Sequence, residues 1–392
     1  MIHCELVTPD SATDGLWTEW ERATVQMPNG QRLFGPDWHR LWVETWGGCG
    51  QWTGQCQMIV ARNAAGDLVG LLFLGRPKVG PVTVRAMGGH EVPHRGLLSV
   101  EGQETAVGSA IGKFIAQQSW PLLQLGPLRR SSVADAALIQ SLHQSGRLMM
   151  HRREREEISL QVPESWDEYR QEVLGGKFFR KIGYYERRME RAGRVHIQHY
   201  RKPSADQTRT MIKDLQTIEA ASWMAVREAS VPRFANPELS KFWSVVTDQC
   251  LSSRDQIDCW VLSFHDTPVS FCFTLNDGET RYVIANQYDE SVKDHRTGST
   301  LYRYMIEDGI DRGIRRYEFG DGDLHYKSLW GAGVTDTSDT WFVVPNKLLS
   351  KIACHVPGLS SPPVVVPNDS TGGSPEEAPI AAVVTSGGDF QS

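Results

Sequence analysis

The order of hydrophobic patterns predicts a mixed α/β protein. Short apolar or alternating runs of strand length are interleaved with longer stretches of 3.6-residue periodicity in both halves of the chain. Three strand-like runs follow one another directly between residues 258 and 288. With 392 residues, 40% of them hydrophobic, the chain can build two cores of ordinary size.

In the first half, Pro36-Asp37-Trp38 opens a helix through "WHRLWVETWG", where Trp38, Leu41, Trp42 and Thr45 recur on one face and Gly47-Gly48 stop it. The strands "QCQMIVAR" and "LVGLLFLG" follow, joined by Asn63 to Asp67 in hairpin fashion. After a Gly-flanked loop, residues 104 to 119 read as helix, "WPLLQLGPL" as strand, "SSVADAALIQSLHQSG" as a helix capped by Ser and closed at Gly146, and "EEISLQV" as strand.

The second half repeats this grammar. A long helix, "SWDEYRQEVLGGKFFRKIGYYERRMERAG", is interrupted at Gly175-Gly176 and leads into the strand "RVHIQHY". Two helices precede the strands "DCWVLSF", "PVSFCFTL" and "TRYVIANQY". A short loop, "DESVKDHRTGST", then enters the helix "LYRYMIEDGIDRG" and the strand "RRYEFG". Residues 1–153 and 154–355 are therefore expected to form two lobes. Residues 356–392, rich in Pro, Ser and Gly without apolar periodicity, are expected to be a disordered tail.

Composition narrows the function. No apolar run approaches the ~20 residues needed to span a bilayer, and the N-terminus has neither a basic nor an apolar leader segment, so a cytoplasmic location is expected. The seven cysteines form no CxxC pair and are expected to be reduced. A net charge of −6 argues against nucleic acid and anionic membranes as partners. Against that background, nine Lys or Arg lie between Lys177 and Lys202, beside only Glu186 and Glu190; a solvated helical face is the common origin of such a run.

One motif invites a metal. "GGHEVPHRG" contains HExxH, with His90, Glu91 and His94 at the spacing of zinc peptidases. The chemistry requires both histidines on one helical face, and Pro93 inside the motif, with Gly88, Gly89 and Gly96 around it, favours a turn. No metal is expected. His90, Glu91, His94 and Arg95 are read instead as acceptor contacts.

Residues 287 to 331 carry a more specific signal: Tyr288-Asp289, Thr297-Gly298-Ser299, Gly313 followed by Tyr317-Glu318-Phe319, then Gly322-Asp323, Tyr326-Lys327 and Trp330. This succession resembles the BioF2-like, cellulose-biosynthesis-type branch of the Gcn5-related N-acetyltransferase (GNAT) superfamily, related to the FemAB-like aminoacyl transferases. "IEAASWM", with Glu219 and Trp223, resembles the family's Glu-x-x-Ser-Trp segment, and the basic helix after Gly175 resembles another family element. The resemblance implies tandem GNAT-like lobes and acyl-CoA as co-substrate. It also implies transfer of an acyl group, chiefly acetyl, to an amine or hydroxyl of a small molecule or a saccharide or envelope precursor.

Such transfer needs a pyrophosphate cradle, carbonyl polarisation and a path for protons. Arg296, Thr297, Gly298, Ser299 and Thr300 stand before a helix, where backbone amides attract phosphate. Their loop departs from the family's fuller (Arg/Gln)-x-x-Gly-x-(Gly/Ala). Asn286 and Gln287 end the strand expected to hold pantetheine. Asp321, Asp323 and Glu219 are candidate bases, Tyr326 a candidate acid for the leaving thiolate, and Lys327 a phosphate or acceptor contact. Trp223 and His325 are candidate acceptor contacts. Two alternatives remain at this stage: aminoacyl transfer from tRNA, motivated by the basic helix, and a non-catalytic binding protein of the same fold.

Overall fold

The strand-forming runs of both halves join one sheet. The computed structural model describes residues 1–8, 14–28, 31–45, 56–75, 78–79, 82–83, 85–87, 96–120, 122–226, 232–251, 256–320 and 324–344. The N-terminal half contains β1 (His3–Val7), α1 (Asp14–Thr24), α2 (Pro36–Thr45), β2 (Gln57–Arg62) and β3 (Leu68–Gly75). Short strands β4 (Lys78–Val79), β5 (Val82–Thr83), β6 (Arg85–Met87) and β7 (Leu98–Ser99) precede α3 (Glu104–Ala116), β8 (Leu123–Arg129), α4 (Val133–Gln144) and β9 (Leu148–Gln161).

The C-terminal half continues with α5 (Trp166–Glu168) and a π-helical turn, then α6 (Gly176–Ala192), β10 (Val195–Arg201), α7 (Ala205–Ala220), α8 (Trp223–Val226) and α9 (Pro237–Val246). β11 (Ile257–Phe264), β12 (Thr267–Asp277), β13 (Thr280–Tyr288), α10 (Thr297–Asp311), β14 (Arg316–Gly320), α11 (Leu324–Ser328) and β15 (Gly333–Val344) complete it. The predicted interruption of the long helix is real: Gly175 takes φ 67°, which a Cβ disfavours, and the backbone restarts as α6.

Among the described residues the main sheet runs β1-β2-β3-β6-β8-β15-β9-β14-β13-β12-β11-β10. β15, late in the chain, lies between β8 and β9, and β9 carries on to pair with β14. Residue 153 falls within β9. Among the described residues, three apolar cores cover the sheet. One joins Trp20, Trp38 and Trp42 to Met211, Leu215, Trp243 and Phe273. A second packs α6 and α10 on the opposite face through Met189, Tyr302, Tyr317 and Trp330. The third sets α3 and α4 against β2, β3 and β8.

α4 begins as its sequence predicts, with Ser132 accepting from the Asp135 amide. Asp135 itself is buried; Oδ1 accepts from the Leu97 amide at 2.9 Å and Oδ2 has no hydrogen-bond partner among the described residues. Burial pushes its pKa up to about 6 against the lowering pull of the Leu97 amide, Ser132 and Arg129. The unfolded chain releases this proton near pH ~4, the folded chain only near 6. Its contribution is therefore full below about pH 4 and lost as pH rises through 6. Asp135→Asn keeps the acceptor for Leu97, so it is expected to raise stability at pH 7.5 by roughly 1–2 kcal/mol and to do nothing at pH 4. Denaturant titrations at the two pH values check this; equal effects at both would contradict it.

Candidate active site

The site forms where β13 leaves β14. Their parallel pairing lasts for three residue pairs, Thr280↔Arg316, Arg281↔Tyr317 and Tyr282↔Glu318, and from Val283 onward β13 has no partner on that side among the described residues. On its other edge β13 stays paired with β12 as far as Tyr288, with a bulge between Val283 and Ala285. The bulge resets the alternation of side chains. Tyr282, Ile284 and Ala285 pack into the core of α7 and α9. Asn286 is in register with Cys272, which belongs to the α10 core, while Gln287 reaches Met224 on α8. Asn286 and Gln287 thus serve opposite faces of the sheet.

Asp289 closes β13 by accepting from the Ser291 amide at 2.7 Å, and a 3-10 segment (Glu290–His295) leads to Arg296. Arg296 takes a left-handed φ of 54° and starts α10 without any side-chain cap. Such a helix start presents backbone N–H groups and positive potential. Asn286 Nδ2 donates to the Gly298 carbonyl at 3.1 Å, and a Cβ on Gly298 would stand 3.0 Å from Asn286 Oδ1. Glycine allows that approach.

Three buried polar atoms around this turn lack hydrogen-bond partners among the described residues: Asn286 Oδ1, His295 Nδ1 and Thr297 Oγ1; Gln287 Oε1, likewise unpartnered, lies on the other face of the sheet beside α8. Buried polar groups are seldom left so, and the three mark a place suited to a polar ligand. A pantetheine amide with a pyrophosphate fits this donor and acceptor set. Asn286 also lies against the Tyr302 hydroxyl.

Tyr302 links the turn to the segment after β14. It is fully buried, its hydroxyl is 3.2 Å from that of Tyr326, and the two rings stack. Burial pushes the Tyr302 pKa well up, Tyr326 adds to the rise, and Asn286 opposes it, so Tyr302 stays protonated and can relay a hydrogen bond. Tyr326 is 40% exposed, which leaves its ring accessible. Lys327 is buried and donates to the Phe319 carbonyl at 3.0 Å, fastening the end of β14. Trp330 packs edge-on against Tyr302 and Phe178, and its carbonyl accepts from the Tyr169 hydroxyl at 2.7 Å. His325 lies exposed on α11, its carbonyl accepting from Ser328.

Asn286, Thr297, Gly298 and Tyr326 are thus brought together on the α10 side. Gln287 and half-buried Trp223 lie on the α7 and α8 side, and Arg296, Ser299 and Thr300 follow the turn. Glu219 is fully buried there, and its two oxygens accept from the amides of Arg233 (3.1 Å), Phe234 (2.6 Å) and Ala235 (2.7 Å). Those amides, rather than a reacting proton, occupy its carboxylate. Asp321 and Asp323, and His90, Glu91, His94 and Arg95, lie outside the described residues, as does the predicted tail. Tyr302, absent from the sequence expectations, was signalled only by its helical position five residues after Thr297.

Among the described residues, His199, Asp258 and Asp308 bring oxygen and nitrogen donors within 4.8 Å of one another. Arg281 and Arg312 already occupy Asp258 at 2.9 and 2.5 Å, so guanidinium groups supply the positive charge there.

The splayed strand pair, the uncapped helix start and the mixed α/β sheet make up a GNAT/FemAB-like fold. Consistently, residues 176–328 match the family model described as an acetyltransferase (GNAT) domain. The chain is similar to the crystal structure of FemX, with 14% identity, a TM-score of 0.56, and coverage of 89% of this chain and 99% of that one. It is also similar to a conserved protein of unknown function from Bacteroides thetaiotaomicron (11% identity, TM-score 0.52, covering 87% and 100%). A third likeness is to the C-terminal DUF2156 domain of a protein assigned as lysylphosphatidylglycerol synthetase from Agrobacterium fabrum (10% identity, TM-score 0.51, covering 87% and 95%). At these identities the likeness is one of fold. A comparison with curated protein sequences finds no match. No helix among the described residues is long and apolar enough to cross a membrane.

Proposed function

We propose that the protein is a cytoplasmic acyltransferase that moves an acyl group from acyl-CoA to an amine or hydroxyl on a small molecule or a saccharide or envelope precursor. Its two lobes would meet near residue 153. The observation that carries this reading is the group of unpartnered buried polar atoms at the mouth of the β13–β14 splay, beside the uncapped α10. In it, the amides of Thr297 and Gly298 hold the pyrophosphate, with Arg296 and the hydroxyls of Ser299 and Thr300 alongside; the Ser299 and Thr300 amides themselves donate to the Arg296 carbonyl. Asn286 and the unpaired edge of β13 hold pantetheine and polarise the thioester carbonyl. Tyr326, backed by Tyr302, gives its proton to the departing thiolate.

The test is acetyl-CoA binding by thermal shift and calorimetry. The full chain is expected to be stabilised by ~2.7 kcal/mol at a hundredfold excess over Kd. Gly298→Val, whose side chain displaces Asn286 and crowds the helix start, is expected to weaken binding by about tenfold or more, some 1.4 kcal/mol. No binding of acetyl-CoA or longer acyl-CoAs at millimolar concentration would end this reading.

A second reading, aminoacyl transfer from aminoacyl-tRNA, is favoured by one observation. Lys177, Arg180, Lys181, Arg187, Arg188 and Arg191 are exposed on α6, which packs beside the 3-10 segment leading to the site. Labelled aminoacyl-tRNA binding with a steep salt dependence, and no acyl-CoA binding, would select it.

A further inference from the structure

The main sheet has two ends, and they are finished differently. β10 forms one of them, bracketed by the exposed Arg194, Arg201 and Lys202. An antiparallel second copy of β10 sets cation against cation, and charge of this kind guards an open edge against pairing. β1 forms the other end. It pairs with β2 through five unbroken residue pairs, from His3↔Arg62 to Val7↔Met58, and among the described residues no strand lies on its outer side. The usual guards are missing there: β1 has no proline and no bulge, and its polar side chains, His3 and Glu5, are one base and one acid.

The side chains of β1 alternate between two faces. Ile2, Cys4 and Leu6 turn towards α3 and pack, half-buried, on the core that α3 and α4 make with the sheet. Glu5 and Val7 turn the other way: Glu5 meets Arg62, which also holds Glu19 of α1, and Val7 joins the core beneath α1. α3 reaches across β3, β2 and β1. Beside it lies a cavity of about 1030 Å³, whose walls include Ile2, Cys4, Ala106, Ser109, Ala110 and Phe114. Its lining comes from β1, the β2–β3 turn and α3, and from no residue of the β2 or β3 strands, which places it at the open corner of the sheet.

Symmetry and charge select a register for a second copy. A two-fold axis perpendicular to the sheet keeps α3 of both copies on one face and sets one residue of β1 opposite itself. With Glu5 opposite itself two carboxylates meet, and with His3 opposite itself two bases meet; like groups directly across a strand pair are destabilising. With Cys4 opposite itself, His3 faces the second copy's Glu5, and the pair occurs twice. Burial pushes the Cys4 thiol up to about 11, so it meets its copy uncharged. On the α3 face the same register sets Ile2 against the second copy's Leu6, and that Leu6 arrives at the cavity, where the small side chains of Ala106, Ser109 and Ala110 leave room.

We propose that β1 is the interface with a second copy of this chain, the two strands pairing antiparallel about Cys4 so that Leu6 of each copy enters the cavity beside α3 of the other. The two sheets then continue as one, and the outward N–H and C=O groups of both β1 strands find partners. β13 and the start of α10 lie in the other half of the sheet, so pairing leaves the donor turn open. The interface stands whether or not the acyltransferase reading does.

Sedimentation of the full chain between roughly 1 and 100 μM, the range in which a modest interface associates, tests this. A monomer–dimer equilibrium is expected. Hydrogen–deuterium exchange at the two ends of that range is expected to show residues 1–8 exchanging more slowly at the higher concentration, with β10 unchanged. His3 is exposed, so its variants leave the folded chain intact. His3→Glu sets like charges together at two places and is expected to raise the dimer Kd by about tenfold; His3→Lys is expected to lower it by about threefold, and salt should shrink both effects. A chain that stays monomeric throughout overturns the proposal. A dimer that leaves the exchange of residues 1–8 unchanged, or that responds to neither His3 variant, overturns it equally.

Discussion

Asp258→Ala is expected to destabilise the protein by about 3–5 kcal/mol, close to what a domain of this kind has to lose. Asp258 has no exposed surface, and Oδ1 accepts from His199 Nε2 at 2.9 Å. Oδ2 accepts from Asn276 Nδ2 (2.5 Å), Arg281 (2.9 Å) and Arg312 (2.5 Å). Arg281 is equally buried, lies over the Trp260 ring, and also donates to Asn276 and to the Met305 carbonyl of α10. Removing the carboxylate strands that guanidinium beside Asp308 alone, 26% exposed. The loss follows from an uncompensated buried charge, and the intact pair is worth less than this figure.

The same residue sets an acid limit. Burial works to raise the Asp258 pKa, but the His199 hydrogen bond and the charges of Arg281 and Arg312 outweigh it and hold the group down to about 2. A depressed carboxylate contributes stability above its unfolded value near ~4 and loses it as pH falls through the folded value. Stability is therefore expected to drop between pH ~4 and 2 in the wild type and to drop less steeply in Asp258→Asn. Denaturant midpoints across that range decide the matter; parallel curves would contradict the assignment.

Glu219→Ala carries the second large effect, at about 3 kcal/mol, because hydrogen bonds to a buried charged group are among the strong ones and three amides lose their acceptor together. Those amides belong to Arg233, Phe234 and Ala235. Phe234 is fully buried against Phe271, Phe273 and Trp243, so the carboxylate anchors an irregular segment whose side chain is a core member. Glu219→Gln keeps one acceptor oxygen and is expected to lose roughly half as much. Below the melting transition both variants should keep the wild-type pH profile of turnover. A profile that loses its acid limb would restore Glu219 to catalysis.

Much of the local structure was legible because it depends on neighbours in sequence. The Asn63–Asp67 turn predicts the β2–β3 hairpin, and Asn63 Oδ1 accepts from the Ala65 and Asp67 amides to make it. Ser132 and the Gly175 break declare helix ends by capping and by backbone freedom. The "RTGST" step reads as the start of α10, although Arg296, and no Ser or Thr, stands at the cap position. Other parts were not legible. "EEISLQV" suggests a strand of seven residues, whereas β9 runs from Leu148 through an Arg-rich stretch to Gln161. β15 passes through "GVTDTSDT", a polar stretch whose pattern announces no strand, yet Ser338, Asp339 and Thr340 are buried in it.

By itself, then, the sequence determined the alternation of helices and strands, the turn chemistry, the GNAT-like succession after Tyr288, and the helix start that suits a phosphate. Those follow from propensity, periodicity and spacing, which act over a few residues. The tertiary structure alone decided that β15 returns between β8 and β9, and that Arg129 meets Glu157 and Glu318, both distant in sequence. It likewise decided that Glu219 feeds three amides and that Asp258 gathers two arginines. Pairing of distant strands and neutralisation of buried charge depend on which surfaces leave water together, and no local pattern encodes that.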